Sequence, residues 1–201
     1  MTAMAPVRSD HLGASTYVEK GWSLLSAGDY VAAEKSLMHA CELAPNDPHT
    51  ESLLGWALML AEKYDDALMW LQKALMADPR NALARVNVGY VCLRKGIYGE
   101  AIEHLSIAIK ENIDKKATLY AHFYLGLIYC EREMYQDAQA FFRTTLELGP
   151  NFIEAYYELG RAFALGGNVE EATRAWQEGH AANKFNAWGK RCGEALAQIR
   201  N

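Results

Sequence analysis

Residues 53–79 read LLGWALMLAEKYDDALMWLQKALMADP, and three of their features return along the chain. A glycine with a large residue after it recurs at steps of 34, 34, 37 and 34 residues. The five pairs are Gly21-Trp22, Gly55-Trp56, Gly89-Tyr90, Gly126-Leu127 and Gly160-Arg161. An alanine follows in the same register at Ala33, Ala67, Ala101, Ala138 and Ala172. Prolines close most units, at Pro45, Pro79 and Pro150. A period of this length indicates stacked supersecondary units rather than one globular core.

The pattern resembles the tetratricopeptide-repeat family, whose signature combines W-x2-L-G-x2-Y, A-x3-F and a closing proline. Leu125-Gly126, Tyr129, Ala138, Phe142 and Pro150 carry it most completely. The resemblance implies an all-α fold, a right-handed α-solenoid of five helix pairs plus a C-terminal capping helix. The expected organisation is a disordered lead-in at 1–13, repeats at about 14–47, 48–81, 82–118, 119–152 and 153–186 within 14–186, and the capping helix at 187–201.

Inner turns are predicted at Gly28-Asp29, Glu62-Lys63 and Lys95-Gly96, and the first helix is expected to begin near Ser15. Three extra residues fall within 111–116, where Ile113 replaces the closing proline. Three residues approach one helical turn, so we expect a longer second helix there, with Asp114 capping the helix that follows. Asn186 is expected to cap the last helix.

Composition argues against several classes of function. The formal net charge is −5 and the lysines and arginines are scattered, which disfavours a nucleic-acid partner. No segment has the length and apolarity of a signal peptide or a membrane span, so the sequence predicts a soluble, cytoplasmic protein without membrane insertion. Five repeats fill the chain and leave no room for a catalytic domain.

Catalytic and metal-binding motifs are not found in the sequence. The four cysteines fall in different units without a C-x-x-C pair, and the six histidines are equally dispersed. Glu103-His104 and Glu178 with His180 are the nearest acid–base pairs, but neighbours so placed do not face each other on a helix. We therefore predict no enzyme activity, no metal and no cofactor.

The repeat register separates packing residues from candidate binding residues. With each glycine numbered as position 8 and about 100° of rotation per residue, positions 4, 7, 8 and 11 of the first helix share one face, which is expected to pack on the partner helix. Glycine there permits close approach to the second helix, where the alanines provide matching small residues. Positions 2, 5, 9, 12 and 13 lie on the opposite side.

In tetratricopeptide proteins that opposite side lines a concave groove, so the resemblance implies which surface meets ligand. The candidate groove residues are mostly apolar and aromatic: Trp22, Trp56, Met59, Tyr90, Arg94, Phe123, Leu127 and Tyr157. Exposed apolar surface of this kind marks interaction sites, and Trp and Tyr often dominate binding energy. The other interpretation is that Trp22, Trp56 and Tyr90 pack against neighbouring first helices.

The leading hypothesis is a protein-binding adaptor or scaffold whose groove holds an apolar helical or extended segment of a partner. Two alternatives remain: a secretion or assembly chaperone that shields an apolar client segment, and a self-associating scaffold. A carboxylate clamp of the kind that holds chaperone tails is disfavoured, because Val18 and Trp22 occupy the positions of its first Lys and Asn.

Overall fold

The computed structural model describes residues 9–199, and all regular structure in that range is α-helical. The helices are α1 (Ser9–Ser26), α2 (Tyr30–Leu43), α3 (Pro48–Leu60), α4 (Tyr64–Ala77), α5 (Ala82–Arg94), α6 (Tyr98–Glu111), α7 (Lys115–Glu131), α8 (Tyr135–Leu148), α9 (Ile153–Leu165), α10 (Val169–Ala182) and α11 (Ala187–Ile199). This is the helix-pair architecture that the repeat register predicts.

The helices fall into two compact units, and the division along the chain lies within α6, between His104 and Leu105. In unit 1, each of α1 to α4 packs against the helix that follows it in the chain. In unit 2, the same holds from α7 to α11. Each unit is therefore assembled from contacts between sequence neighbours, as in repeat proteins.

The turn inside each pair has one backbone conformation. A residue with positive φ lies two positions after each first helix: Gly28 (79°), Glu62 (59°), Gly96 (73°), Glu133 (60°) and Gly167 (84°). The next amide donates to a carbonyl five residues back, as Lys63 does to Leu58 at 2.9 Å. This is the Schellman motif, which satisfies the last carbonyls of a helix. The inner turns predicted at Gly28, Glu62 and Gly96 are confirmed.

The glycines of the first helices lie against large buried side chains of the second helices. A Cβ built on Gly55 would lie 2.6 Å from Leu71 Cγ, and one on Gly126 would lie 2.5 Å from Phe142 Cε1. Leu71 and Phe142 are fully buried. The glycines thus set the close approach within each pair, as the register predicts.

Two expectations at helix boundaries are wrong. α1 begins at Ser9 rather than near Ser15, so residues 9–13 of the expected lead-in are helical, while residues 1–8 lie outside the described range. The extra residues near 111–116 do not lengthen the second helix, since α6 has 14 residues like α4 and α8. They lengthen α7 to 17 residues, against 13 in α5.

Side-chain caps fix where several helices begin. Asp114 Oδ1 accepts a hydrogen bond from the Ala117 amide at 2.7 Å, so this residue caps α7 as expected. Asn186 Oδ1 likewise accepts from the Gly189 amide at 2.7 Å and caps α11. Asp29, Asp47 and Asn81 cap α2, α3 and α5 in the same way.

Candidate functional site

The first helices of successive pairs contact one another within each unit. In unit 1, α1 contacts α3 and α3 contacts α5, while α2 and α4 make no such mutual contact among their described residues. In unit 2, α7 contacts α9 and α9 contacts α11. We call the outward surface of α1, α3 and α5 the first-helix face of unit 1, and that of α7, α9 and α11 the first-helix face of unit 2.

Two tryptophans pair on the first-helix face of unit 1. Trp22 of α1 is 51% exposed, and its ring centroid lies 5.5 Å from that of half-buried Trp56 of α3, with 44° between the ring planes. Each tryptophan follows a register glycine directly. Because the glycine faces the second helix, the next residue is turned about 100° away from it and reaches the open side.

Arg94 ends α5 on the same face and is held by two tyrosines. Its Nη1 donates to the hydroxyl of Tyr90, which is half-buried, at 2.8 Å. The guanidinium carbon lies 5.3 Å from the ring centroid of Tyr64 and 5.8 Å from that of Tyr90, within the range of cation–π contacts. The hydrogen bond that Arg94 donates to Tyr90 raises the pKa of Arg94, and burial raises the pKa of Tyr64.

Two of the predicted groove residues are buried, which corrects their assignment as accessible binding residues. Phe123 is only 2% exposed, and its ring lies 4.8 Å from Phe152 and 5.7 Å from Phe142 in the core of unit 2. Met59 in unit 1 is 5% exposed.

The physical reason for these corrections is angular. Phe123 and Met59 occupy positions 5 and 12, which lie within about 20° of each other, whereas positions 9 and 13 lie about 40–100° further round the helix. Positions 5 and 12 are buried in α3, α5 and α7, and positions 9 and 13 remain accessible at Trp22, Trp56, Tyr90 and Arg94. We call these accessible positions, 9 and 13 of α1, α3 and α5, the open stripe. It is narrower than the predicted groove.

The remaining two candidates belong to unit 2 and are partly covered. Leu127 is half-buried and packs against the same core as Phe123. The ring of Tyr157, also half-buried, lies 5.5 Å from that of Trp188 in α11, and the guanidinium of Arg191 lies 4.4 Å over Trp188. The capping helix thus occupies the surface next to Tyr157.

The first-helix face of unit 2 contains an ion pair. Arg161 Nε donates to Glu158 Oε2 at 2.8 Å, and Glu158 is only 8% exposed. Burial raises the pKa of Glu158 despite this partner. Burial, together with the charge of Glu158, raises the pKa of Glu154 to about 7, and Arg191 opposes the rise.

Tyr64 belongs to a series of tyrosines that recurs at the start of the second helices. Tyr30, Tyr64, Tyr98 and Tyr135 are the first residues of α2, α4, α6 and α8. Tyr64 packs on the next helix pair through Arg94. The sequence signal for this contact is the recurrence of tyrosine as the first residue of the second helix, directly after the inner turn.

The described residues contain no grouping of three or more His, Cys, Asp or Glu side chains that could hold a metal ion. Cys92, Cys130 and Cys192 are buried, and burial raises the pKa of each thiol to about 11, which keeps it protonated and weakly nucleophilic. Within residues 9–199, no helix is long and apolar enough to cross a bilayer.

Curated relatives match parts of the chain. Cell division cycle protein 27 homolog A of Arabidopsis thaliana is 30% identical over 109 residues, which are 52% of this chain and 15% of that protein. Protein ycf37 of Cyanophora paradoxa is 31% identical over 93 residues, 46% of this chain and 54% of that protein. The chain therefore spans well under two thirds of either relative.

Solved structures match over most of the chain. A crystal structure of MamA is 25% identical, with a TM-score of 0.65 over 86% of this chain and 92% of that one. TTC0263 of Thermus thermophilus, described as a thermophilic TPR protein, is 19% identical with a TM-score of 0.79, over 92% of this chain and 99% of that one. The second likeness concerns the fold alone, and it is the tetratricopeptide-repeat fold.

A family model covers well over half of the chain. It is described as "T7SS, ESX-1 secretion system protein EccA1, N-terminal domain" and matches residues 17–164, from α1 through most of α9. The matched range includes the tryptophan pair, Arg94 and the buried Phe123. The chain is thus a tetratricopeptide-repeat protein, and it belongs to the family of the EccA1 N-terminal domain of the ESX-1 type VII secretion system.

Proposed function

We propose that the chain is a non-catalytic protein-interaction module that binds an apolar segment of a partner over the first-helix face of unit 1. The observation that carries this proposal is the Trp22–Trp56 pair, with Trp22 half exposed and the rings 5.5 Å apart. Tryptophan is the residue type most enriched among binding hot spots, and clustered exposed apolar surface marks interaction sites.

The spacing of the two rings fits a helical segment. Side chains three or four residues apart on a helix lie about 5–6 Å from each other. Successive apolar anchors of a partner helix can therefore each contact one ring of a pair separated by 5.5 Å. An extended segment can also place alternate side chains against the pair.

The family description supports a second form of the proposal, in which the bound segment belongs to a secreted client. The family is named for a secretion system. In this form, the module covers an apolar segment of the client until the client is delivered to the secretion system, as the chaperone hypothesis states. This form predicts that the client aggregates when the module is absent.

The test compares two tryptophans of unit 1 on opposite helix layers. Trp56 and Trp70 are both half-buried, but Trp56 lies on α3 and Trp70 on α4. Proteins retained from a lysate of the source cells by wild type would be identified by mass spectrometry, purified and titrated by calorimetry. We expect Trp56→Ala to weaken binding by roughly 2 kcal/mol, about thirtyfold, and Trp70→Ala by less than about twofold.

Circular dichroism is the folding control for both variants. Equal losses of affinity in two folded variants would move the binding surface away from the first-helix face. If wild type retains only copies of itself and its mass by sedimentation rises with concentration, self-association replaces partner binding.

A further inference from the structure

Arg94 is oriented in advance of any partner. Its bond to the Tyr90 hydroxyl at 2.8 Å and its position 5.3 Å from the Tyr64 ring restrict the side chain on two sides. A guanidinium has five N–H donors in a rigid fork, and the bond to Tyr90 uses one. Because the side chain is already ordered, a ligand that binds it loses less conformational entropy in doing so.

The charge of Arg94 lacks a carboxylate partner. Within residues 9–199, no carboxylate lies within 4.0 Å of its guanidinium, although Glu62 is near enough to raise its pKa slightly. Three lysines of unit 1 do have carboxylate partners: Lys63 with Glu34 at 2.7 Å, Lys73 with Glu51 at 2.7 Å, and Lys95 with Asp65. Arg161 in unit 2 is paired with Glu158.

Arg94 also belongs to the open stripe that carries the aromatic residues. It follows Tyr90 by four residues on α5, or about 6 Å along the helix axis, and Tyr90 shares the register position of Trp22 and Trp56. A segment that covers these rings excludes water from their surroundings. An exposed guanidinium then loses hydration, so its remaining N–H groups need acceptors from the segment itself.

We infer that the segment bound over the first-helix face of unit 1 carries an Asp or Glu side chain at a fixed spacing from its apolar anchors, and that this carboxylate binds the guanidinium of Arg94. The inference rests on the proposed function and specifies the partner's chemistry. A carboxylate matches the fork of an arginine with two parallel hydrogen bonds. A nucleic-acid backbone matches poorly, because it requires many clustered cations and the chain has a net charge of −5.

The test uses phage-displayed random peptides long enough to cross three adjacent helices. They are selected in parallel on wild type, Trp56→Ala, Arg94→Glu and Arg80→Glu. Arg80 is exposed and lies in the turn before α5, so its substitution changes net charge equally without touching the stripe. We expect wild type and Arg80→Glu to select Asp or Glu at one spacing from a bulky apolar residue. Arg94→Glu should select Lys or Arg at that spacing.

A double-mutant cycle then measures the contact directly. The strongest wild-type peptide is compared with its Glu→Gln or Asp→Asn form on wild type and on Arg94→Gln. We expect the neutral peptide to bind wild type about tenfold more weakly, as for loss of a charge-assisted hydrogen bond, and to bind Arg94→Gln within about twofold of the acidic peptide.

Two different failures are distinguishable. If the selected peptides depend on Trp56 but show no acidic position, or if Arg94→Glu selects the same peptides as wild type, the inference is overturned and the proposed function stands. If wild type selects no peptide whose binding depends on Trp56, the proposed function fails and the inference fails with it.

Discussion

In unit 1 the residue after each register glycine is a tryptophan or tyrosine with an accessible ring, whereas in unit 2 the corresponding residues are half-buried Leu127 and Arg161, the latter neutralised by Glu158. Of the aromatic residues that the register places on the same side in unit 2, Phe123 is in the core and Tyr157 packs beside Trp188 of the capping helix. Both faces follow the same repeat register. Trp22 and Arg94 of unit 1 are exposed, whereas in unit 2 Phe123 is buried and Arg161 is paired with Glu158.

This difference separates two roles for similar residue types. Where neighbouring helices and the capping helix cover a ring, its removal opens a cavity and costs stability. Where a ring stays half exposed, its removal costs little stability and affects chiefly what binds there. The comparison therefore predicts that equivalent substitutions in the two units have different consequences.

The largest contrast is expected between two aromatic substitutions. Phe123→Ala should lower the free energy of unfolding by about 3–5 kcal/mol, because it deletes a ring packed between Phe142 and Phe152. Trp22→Ala should lower it by less than about 1 kcal/mol. Urea denaturation followed by circular dichroism measures both. Comparable losses would mean that the tryptophan of unit 1 is a packing residue and that the contrast between the units is wrong.

A smaller contrast is expected between the two arginines. Arg161→Gln should destabilise the fold by about 1.5–3 kcal/mol, because it leaves the buried carboxylate of Glu158 without its cation. Arg94→Gln should stay within about 0.5 kcal/mol of wild type, since its removal strands no carboxylate. The same denaturation experiment applies. A marked loss of stability in Arg94→Gln would identify that residue as structural and remove it from the binding stripe.

The smallest effect concerns the pH dependence of unit 2. The pKa of Glu154 rises from 4.5 to about 7 on folding, chiefly through burial, so the folded state holds a proton that the unfolded state releases in this window. Stability should therefore fall as pH rises from about 4.5 to about 7. Glu154→Gln should flatten this fall by about 1 kcal/mol, allowing for partial exposure to solvent. Glu158 and Arg191 face the same carboxyl, and Tyr120 lies within reach of its charge.

Melting temperatures measured across that pH range test this expectation. Glu147→Gln on the exposed surface of α8 serves as the control and should leave the wild-type slope unchanged. A variant at Glu154 with the wild-type slope would assign the pH dependence to other groups, Glu158 first among them.

The fold follows from the sequence because its markers act locally. A glycine that meets Leu71 or Phe142, and a turn at Gly28 or Glu62, depend on residues within one helix pair, so periodicity was enough to predict them. The start of α1 was misplaced because residues 9–13 lack the repeat pattern. The extra turn was placed in α6 rather than α7 because spacing alone does not tell on which side of a loop residues are added.

The candidate site was predicted less completely. A helical wheel identifies the side that faces away from the partner helix, which was enough for Trp22, Trp56 and Arg94. It does not tell how neighbouring elements cover that side: Met59 is buried, and Phe123 packs on Phe142 of α8 and on Phe152 just before α9. Nor does it tell which charges are already paired, since the ion pair of Arg161 and its absence at Arg94 depend on side-chain conformation.

The inner turns have a consequence for the recognition of such proteins from sequence alone. The left-handed position holds glycine in three turns and glutamate in two, with nearly the same φ in all five. The hydrogen bonds of the motif, rather than the residue type, therefore maintain the geometry, at a modest local cost where the residue is glutamate. A search profile that demands glycine at this position would overlook the second and fourth helix pairs, and divergent relatives with them.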